Sequence, residues 1–305
     1  MAASPLLPTI AFLGVGLMGA PMAQRICEAG YAVRVWNRTA SKTDPLRARA
    51  TVAPTPGEAV RGADIVVTML DSGPIVAQVL ETTLASISPG ALVIDMSSTA
   101  QSEAVIVAVL LASRGVQFID APVSGGVIGA RQGTLAIMAG GSECDYARAE
   151  ALFKVLGRPT RVGPTGCGQL AKLCNQLIVG GTIAIVAEAL LLAQAGGADP
   201  AAVRAAIRGG FAESKILEVH GARMLERDFR PGGQVKSQAK DMDNVLQAAA
   251  TSGLHLPVSE LVSTLYRGIM DTLANADQAA ALLALERKNP GKRLGVAPDL
   301  LPERF

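Results

Sequence analysis

Aromatic residues are scarce: one Trp, three Tyr and six Phe in 305 residues. Rings therefore cannot dominate the core, and Ala, Leu, Val and Gly must supply close-packed helices and an aliphatic sheet. Histidine is rarer still. His220 and His255 are the only two, and neither stands in a glycine-rich or strand-end context, which makes a histidine base unpromising. The four cysteines, Cys27, Cys144, Cys167 and Cys174, form no CxxC pair and sit beside no histidine, so no metal is expected. They read as small buried hydrophobes, and reduced thiols suit a cytoplasmic protein. Charge is sparse at 18%, with a net charge of +2, which gives no reason to expect nucleic acid or a membrane surface as partner. Residues 1–9 hold no Lys or Arg, unlike a signal peptide. The most apolar run, residues 177–193, is interrupted by Glu188 and reads as a buried helix rather than a membrane span.

What is present is aliphatic. Half of the residues are apolar, and the length suits two cores. Short apolar runs at residues 10–13, 33–36, 65–70, 92–96, 118–121 and 135–139 alternate with helical stretches such as 19–29, 101–114 and 143–156. Continuously apolar runs mark strands covered on both faces. The alternation predicts an α/β fold, a Rossmann-type doubly wound parallel sheet over residues 1–166. After Gly166 strand-like runs stop. Ala/Leu-rich stretches at 168–195, 200–208, 236–252, 257–272 and 277–287, punctuated by Gly-Gly pairs and prolines, predict an all-helical domain over residues 167–305. Residues 167–195 carry only Lys172 and Glu188 as charges. This long helix reads as buried on all sides, able to join the domains and to pack against another subunit. The tail from Lys288 reads as a solvated extension.

The chain opens with a strand running into Gly14-Val15-Gly16-Leu17-Met18-Gly19, a G-x-G-x-x-G turn at the start of a βαβ unit. Gly14 permits the tight turn, Gly16 lets backbone N–H groups approach a pyrophosphate, and Gly19 lets the helix pack on the strand. The pyrophosphate then meets a helix N-terminus. The next strand ends at Asn37-Arg38-Thr39. An NAD site usually has an acidic residue there. A guanidinium that can fork onto a phosphate favours NADP, with NAD the alternative. Met69-Leu70 and Ser97-Ser98-Thr99 end two further strands and should line the same crevice. Thr99 can serve cofactor or substrate, or simply cap a helix.

A dinucleotide-dependent enzyme that oxidises an alcohol needs a group that exchanges a proton with the alcohol oxygen. Lys172 and Asn175 lie three apart on one face of the apolar helix. Burying an ammonium there should lower its pKa into the range a lysine acid/base needs, as should the nearby helix start; a lysine snorkelling to solvent is the alternative. Ser124-Gly125-Gly126 after a strand can form an anion nest for a carboxylate. Lys240-Asp241 can complete such a site or be an ordinary exposed pair.

Together these residues resemble the β-hydroxyacid dehydrogenase family, which includes 3-hydroxyisobutyrate dehydrogenase and the tartronate, glyoxylate and succinic semialdehyde reductases. The resemblance spans residues 10 to about 287. It implies that residues 14–19 hold the pyrophosphate and that Thr99 contacts cofactor or substrate. Ser124, Gly125 and Gly126 would hold the substrate carboxylate. Lys172 would be the general acid/base with Asn175 beside the substrate, and Lys240 would lie near the nicotinamide with Asp241 alongside. It implies NADP or NAD as cofactor, a small acid as substrate, and dimers or tetramers built on the helical domain. Residues 206–210 and 228–232 look most like the tartronate semialdehyde reductase branch, with 3-hydroxyisobutyrate, L-threonate and succinic semialdehyde or glyoxylate as alternatives. Imine reduction on this scaffold usually comes with loss of the lysine, and Lys172 argues against it; a non-catalytic dinucleotide-binding protein is a further reading. Gly233 stands where many relatives have Phe, which is expected to open the pocket and leave Lys236 nearby.

Overall fold

The computed structural model describes residues 7–303. Most of the stretch read as lacking a signal peptide, and the last two residues of the tail, lie outside these. The chain divides into two compact units, the first ending at Lys172 and the second starting at Leu173.

In the first unit β1 (Ile10–Leu13) lies between β2 (Val33–Trp36) and β4 (Ile65–Thr68). Beyond β2 is the short β3 (Thr51–Val52); beyond β4 come β5 (Leu92–Asp95) and β6 (Gln117–Asp120). These six strands are all parallel. Side chains of β1 alternate between two cores because successive residues of a strand face opposite ways. Ile10 and Phe12 join the core with α1 (Gly19–Glu28) and α6 (Glu143–Leu156). Ala11 and Leu13 join the other, with α2 (Pro56–Val60), α3 (Gly73–Thr83) and α4 (Gln101–Ala112). The doubly wound parallel sheet is as the apolar runs required.

The far side of the sheet departs from a purely parallel pattern. β8 (Leu135–Gly140) pairs antiparallel with β6 and with β7 (Val123–Ser124), and β9 (Gly157–Gly163) runs parallel to β8. β9 has no apolar run to betray it, and as an edge strand it tolerates Pro159. α5 (Gly126–Gln132) lies between β7 and β8.

α7 (Cys167–Ala195) carries the chain out of the first unit. The second unit adds α8 (Pro200–Ile207), α9 (Lys215–Glu226), α10 (Val235–Thr251), α11 (Pro257–Arg267), α12 (Met270–Leu273) and α13 (Ala281–Lys288). Ile183, Ala187 and Leu190 of α7 pack in its core with Met224, Met242 and Tyr266. α9 was not foreseen; Ser214 starts it by accepting a hydrogen bond from Leu217 N–H at 3.0 Å.

Three expectations are corrected. By length and composition α7 could cross a membrane, and it is not buried on all sides: Ile178, Ile185 and Leu192 are 63%, 61% and 74% exposed. Their seven-residue spacing lines them along one stripe. Nor is the tail only a solvated extension: it is exposed at most of its described positions but anchored. Leu294 is fully buried, and Leu300 N–H donates to Arg227 O while Phe229 N–H donates to Leu300 O, both at 2.9 Å. Arg227, buried and left-handed at φ 53°, donates to Glu286, Asp299 and the Leu294 carbonyl. Finally, Cys144 and Cys174 are exposed rather than buried, while Cys27 and Cys167 are half-buried.

Candidate active site

Parallel strands bring the ends of β1, β2, β4, β5 and β6 to one edge of the sheet, where ligands of such folds bind. At the end of β1, Gly14 takes φ +103°, and a Cβ there would lie 2.3 Å from the Met69 carbonyl oxygen. A Cβ on Gly19 would lie 1.9 Å from the Gly14 carbonyl oxygen. At Gly16 a Cβ would meet nothing within 4 Å. Gly14 and Gly19 are therefore demanded by the protein's own backbone. Gly16 is not; its bare Cα opens a cradle that fits a phosphate group drawn close to backbone N–H groups.

A cleft of about 340 Å³ lies at this turn, lined by Gly14, Gly16, Asn37, Arg38, Thr39 and Lys42. Met69, Leu70, Asp71, Ile75 and Gln78 line it as well. Asn37 braces the turn: its Oδ1 accepts from Val15 N–H at 3.1 Å and its Nδ2 donates to Thr39 O at 3.0 Å. The other residues read from the glycine motif do not line the cleft. The Val15 side chain is buried, Leu17 is 84% exposed, and Met18 leads into Gly19 at the start of α1. Lys42 was missed by sequence reasoning. The signal was a second cation four residues after Arg38, brought back by the 3₁₀ turn Ala40–Leu46.

The ends of β4, β5 and β6 form a buried polar layer. Asp95, 1% exposed, accepts from Thr68 Oγ1 at 2.7 Å and from Ser97 N–H at 3.1 Å. Burial pushes its carboxyl up to about 6, against the hydrogen bonds from Ser97 and Thr68. Ser97 Oγ accepts from Leu70 N–H at 2.9 Å. Thr99 is 3% exposed and caps no helix: Ala100 is the α4 N-cap, its N–H donating to Glu103 at 2.7 Å. Among the described residues Thr99 Oγ1 is the one buried side-chain N or O atom without a hydrogen-bond partner. Such an atom is costly to leave unpaired, and a ligand's polar group would relieve the cost.

Asp120 closes this layer. Burial pushes its carboxyl up to about 6. Its Oδ1 accepts from Gly166 N–H and its Oδ2 from Gln169 N–H, each at 2.7 Å. Gln169 Nε2 donates to Ser97 O at 2.8 Å, and Gln169 Oε1 accepts from Thr99 N–H at 3.0 Å. Asp120 and Gln169 were not read as site residues. Lys172 follows one turn later and is half-buried. Ser124 is half-buried in β7, followed by exposed Gly125 at φ +135° and Gly126 at φ +61°, which open α5. Successive N–H groups in such a turn can form a concavity for an anion.

In the second unit Asn175 Nδ2 donates to Gln176 Oε1 at 2.8 Å, and Gln176 Nε2 donates to Asp241 Oδ2 at 2.7 Å. Lys240 Nζ lies 3.5 Å from Asp241 Oδ1. The structure thus joins Asn175 to the Lys240-Asp241 pair through Gln176, which sequence reasoning passed over. Gly233 does not leave an open gap: a Cβ there would lie 2.8 Å from Gln278 Nε2. Lys236 donates to Asn275 Oδ1 at 2.9 Å. Of the histidines, His220 lies 3.2 Å from the buried Asp277 and His255 is 75% exposed beside Glu260.

The strand order, the glycine turn and the cleft above it define a dinucleotide-binding protein of the Rossmann class. Residues 9–179 match the model of the NAD-binding domain of 6-phosphogluconate dehydrogenase. Residues 166–285 match that of the NAD-binding region of NADP-dependent 3-hydroxyisobutyrate dehydrogenase. The chain is 40% identical over 283 residues to 2-hydroxy-3-oxopropionate reductase of Escherichia coli strain K12, covering 91% of this chain and 97% of that one. It is 36% identical over 286 residues to a probable mitochondrial 3-hydroxyisobutyrate dehydrogenase-like protein of Arabidopsis thaliana, covering 92% and 86%. The solved structure of Mycobacterium tuberculosis 3-hydroxyisobutyrate dehydrogenase with L-serine superposes with a TM-score of 0.84 at 31% identity, covering 92% and 99%. The chain belongs to the β-hydroxyacid dehydrogenase family and is an oxidoreductase that uses a nicotinamide dinucleotide.

Proposed function

We propose that the protein interconverts tartronate semialdehyde (2-hydroxy-3-oxopropionate) and glycerate with NADP(H), Lys172 being the proton-transfer residue. The observation that carries this reading is the setting of Lys172: half-buried, one turn into a helix tied to the polar layer at the strand ends. The bound dinucleotide supplies or accepts the hydride. In reduction Lys172 Nζ gives its proton to the substrate's carbonyl oxygen, and in oxidation it takes the proton back. Ser124 and the N–H groups of Gly125 and Gly126 hold the carboxylate, while Asn175, Lys240 and Asp241 serve the substrate and nicotinamide. Arg38 and Lys42 on the cleft, with Asn37 in place of an acid, support the 2′-phosphorylated cofactor. The likeness to the E. coli 2-hydroxy-3-oxopropionate reductase supports the substrate. The apolar stripe of Ile178, Ile185 and Leu192 supports a homodimer or homotetramer built through α7.

The test follows the absorbance of reduced nicotinamide with NADPH and NADH against a panel of semialdehyde acids and in the reverse direction. Tartronate semialdehyde should give the highest kcat/KM; a higher value with 3-hydroxyisobutyrate, L-threonate, succinic semialdehyde or glyoxylate reassigns the substrate. Lys172→Ala should lower kcat by about 10²–10⁴-fold, the range for removing a general acid, with dinucleotide affinity kept. Near-normal turnover in that variant would refute the role.

A further inference from the structure

We infer that Asp120 and Gln169 are positioning residues that set the register of the first turns of α7, and through them the direction of Lys172. The inference rests on the reading of Lys172 as the proton carrier.

α7 cannot cap itself. Its N-terminal residue is preceded by Gly166, which has no side chain to accept the free N–H groups of the first turn. Asp120 supplies the cap from β6. One oxygen takes the Gly166 N–H and the other the Gln169 N–H, so a single carboxylate grips both the approach to the helix and its first turn. A negative charge at this end also answers the helix dipole.

The contact is close on the backbone side as well. A Cβ on Gly168 would lie 2.3 Å from the Asp120 carbonyl oxygen, 2.5 Å from Met138 O and 2.8 Å from Asp120 Oδ2. A Cβ on Gly140 would lie 2.5 Å from Gly168 N and 2.6 Å from Asp120 Oδ1. The helix backbone is therefore seated directly on β6 and β8, with the Asp120 carboxylate as the side chain between.

Gln169 stops the remaining rotation. It is fully buried and is held at three atoms: its N–H by Asp120, its Nε2 by Ser97 O and its Oε1 by Thr99 N–H. These last two lie on the segment that follows β5 and leads into α4. Gly168 and Gln169 stand four and three residues before Lys172, so they form the turn beneath it on the same face. A long helical side chain lies over the turn N-terminal to its own Cα. Lys172 thus leans over the turn that Asp120 and Gln169 pin, and a turn of α7 by even a small angle would move Nζ. Misplacement of about 1 Å remote from the chemistry can cost about 10²-fold in rate.

The test uses the full-length enzyme and four variants: Gln169→Met, which keeps length and volume but neither hydrogen bond, Gln169→Glu, which keeps the acceptor for Thr99 N–H, Asp120→Asn and Lys172→Ala. Each is checked for folding by circular dichroism and thermal melting, and Asp120→Asn stands in if Gln169→Met does not fold. The expected result is a fall in kcat of about 10–100-fold for Gln169→Met and for Asp120→Asn, with dinucleotide affinity within about threefold (roughly 0.7 kcal/mol). The solvent deuterium isotope effect on kcat should rise and the pH profile should shift, because proton transfer becomes the harder step. Gln169→Glu should recover part of the loss. Normal kcat and an unchanged isotope effect in folded Gln169→Met and Asp120→Asn, beside an inactive Lys172→Ala, would overturn the inference and leave the functional reading intact. A fall in kcat accompanied by lost dinucleotide affinity, with the isotope effect unmoved, would make the network merely structural and also overturn it. Full turnover in Lys172→Ala would remove the functional reading itself.

Discussion

The three glycines of the nucleotide turn separate into two kinds, and alanine tells them apart. A Cβ at position 19 must share space with the Gly14 carbonyl oxygen, 1.9 Å away. The obstacle is backbone, so either the turn or α1 must move by more than an ångström. Such overpacking costs about 1–3 kcal/mol and sometimes more. A Cβ at position 16 meets no protein atom within 4 Å, and Gly16 is not in the left-handed region. Its removal of backbone freedom is therefore neutral, within about 0.5 kcal/mol for a surface change of this kind. What it does obstruct is a phosphate group approaching the N–H groups of the turn. Losing one hydrogen bond to a charged group is worth about 1.5–3 kcal/mol, roughly 10–150-fold in affinity. Gly16→Ala should then melt like the parent and bind NADPH at least tenfold more weakly by fluorescence titration. Gly19→Ala should melt several degrees lower. If Gly16→Ala binds the dinucleotide with unchanged affinity, the cleft above β1 is not the pyrophosphate site and the placement of the cofactor is wrong.

Three further outcomes follow from particular groups. Arg38→Ala combined with Lys42→Ala should raise the KM for NADPH by about tenfold or more, the loss of charge-assisted contacts, and leave that for NADH nearly unchanged; equal changes for both cofactors would refute a 2′-phosphate role. Asp95 has its carboxyl raised from 3.8 to about 6, so the protonated form is the one the native state favours. That stability is complete below about pH 4 and is lost as pH rises through about 6, up to roughly 3 kcal/mol. Asp95→Asn, whose Oδ1 can still accept from Thr68 and Ser97, should melt higher than the parent near pH 8 and show a flatter melting profile between about pH 4 and 7; a lower melting point at pH 8 would sink this account. Arg227→Met leaves Glu286 and Asp299 without their buried guanidinium and should cost about 3–5 kcal/mol, read by denaturant titration together with faster proteolysis between residues 289 and 299.

The fold was legible where physics acts locally. Runs such as Ile65–Thr68 and Leu92–Asp95 announce strands because both their faces are buried. The Gly14-to-Gly19 spacing announces the turn because only glycine satisfies its backbone. β9 was not legible, since its residues alternate between half-buried and exposed and carry two arginines and a proline. The tail's anchoring was not legible for a related reason: Asp299 stands in a mostly exposed segment, and its ion pair with Arg227 joins positions 72 apart in sequence. The buried faces of α7 were overestimated because an apolar sequence does not record which side is left bare. In the site, Lys172 and Asn175 stood out by type and spacing. Gln169, Gln176 and Lys42 did not, because a glutamine or a lysine on a helix is ordinary until its partners are known.

Those partners explain why two buried acids persist at the ends of β5 and β6. As charges in a dry layer Asp95 and Asp120 oppose stability at neutral pH, since burial raises both. Leucine or valine would serve the core better. Neither could accept the N–H of Ser97, nor those of Gly166 and Gln169, and these donors would then be left buried and unpaired at about 1–3 kcal/mol each. The cost of two carboxylates is thus set against at least three orphaned backbone donors, all at bends where a strand ends or a helix begins. The sheet edge spends stability on holding those bends in one shape, and the segment that carries Lys172 is one of them.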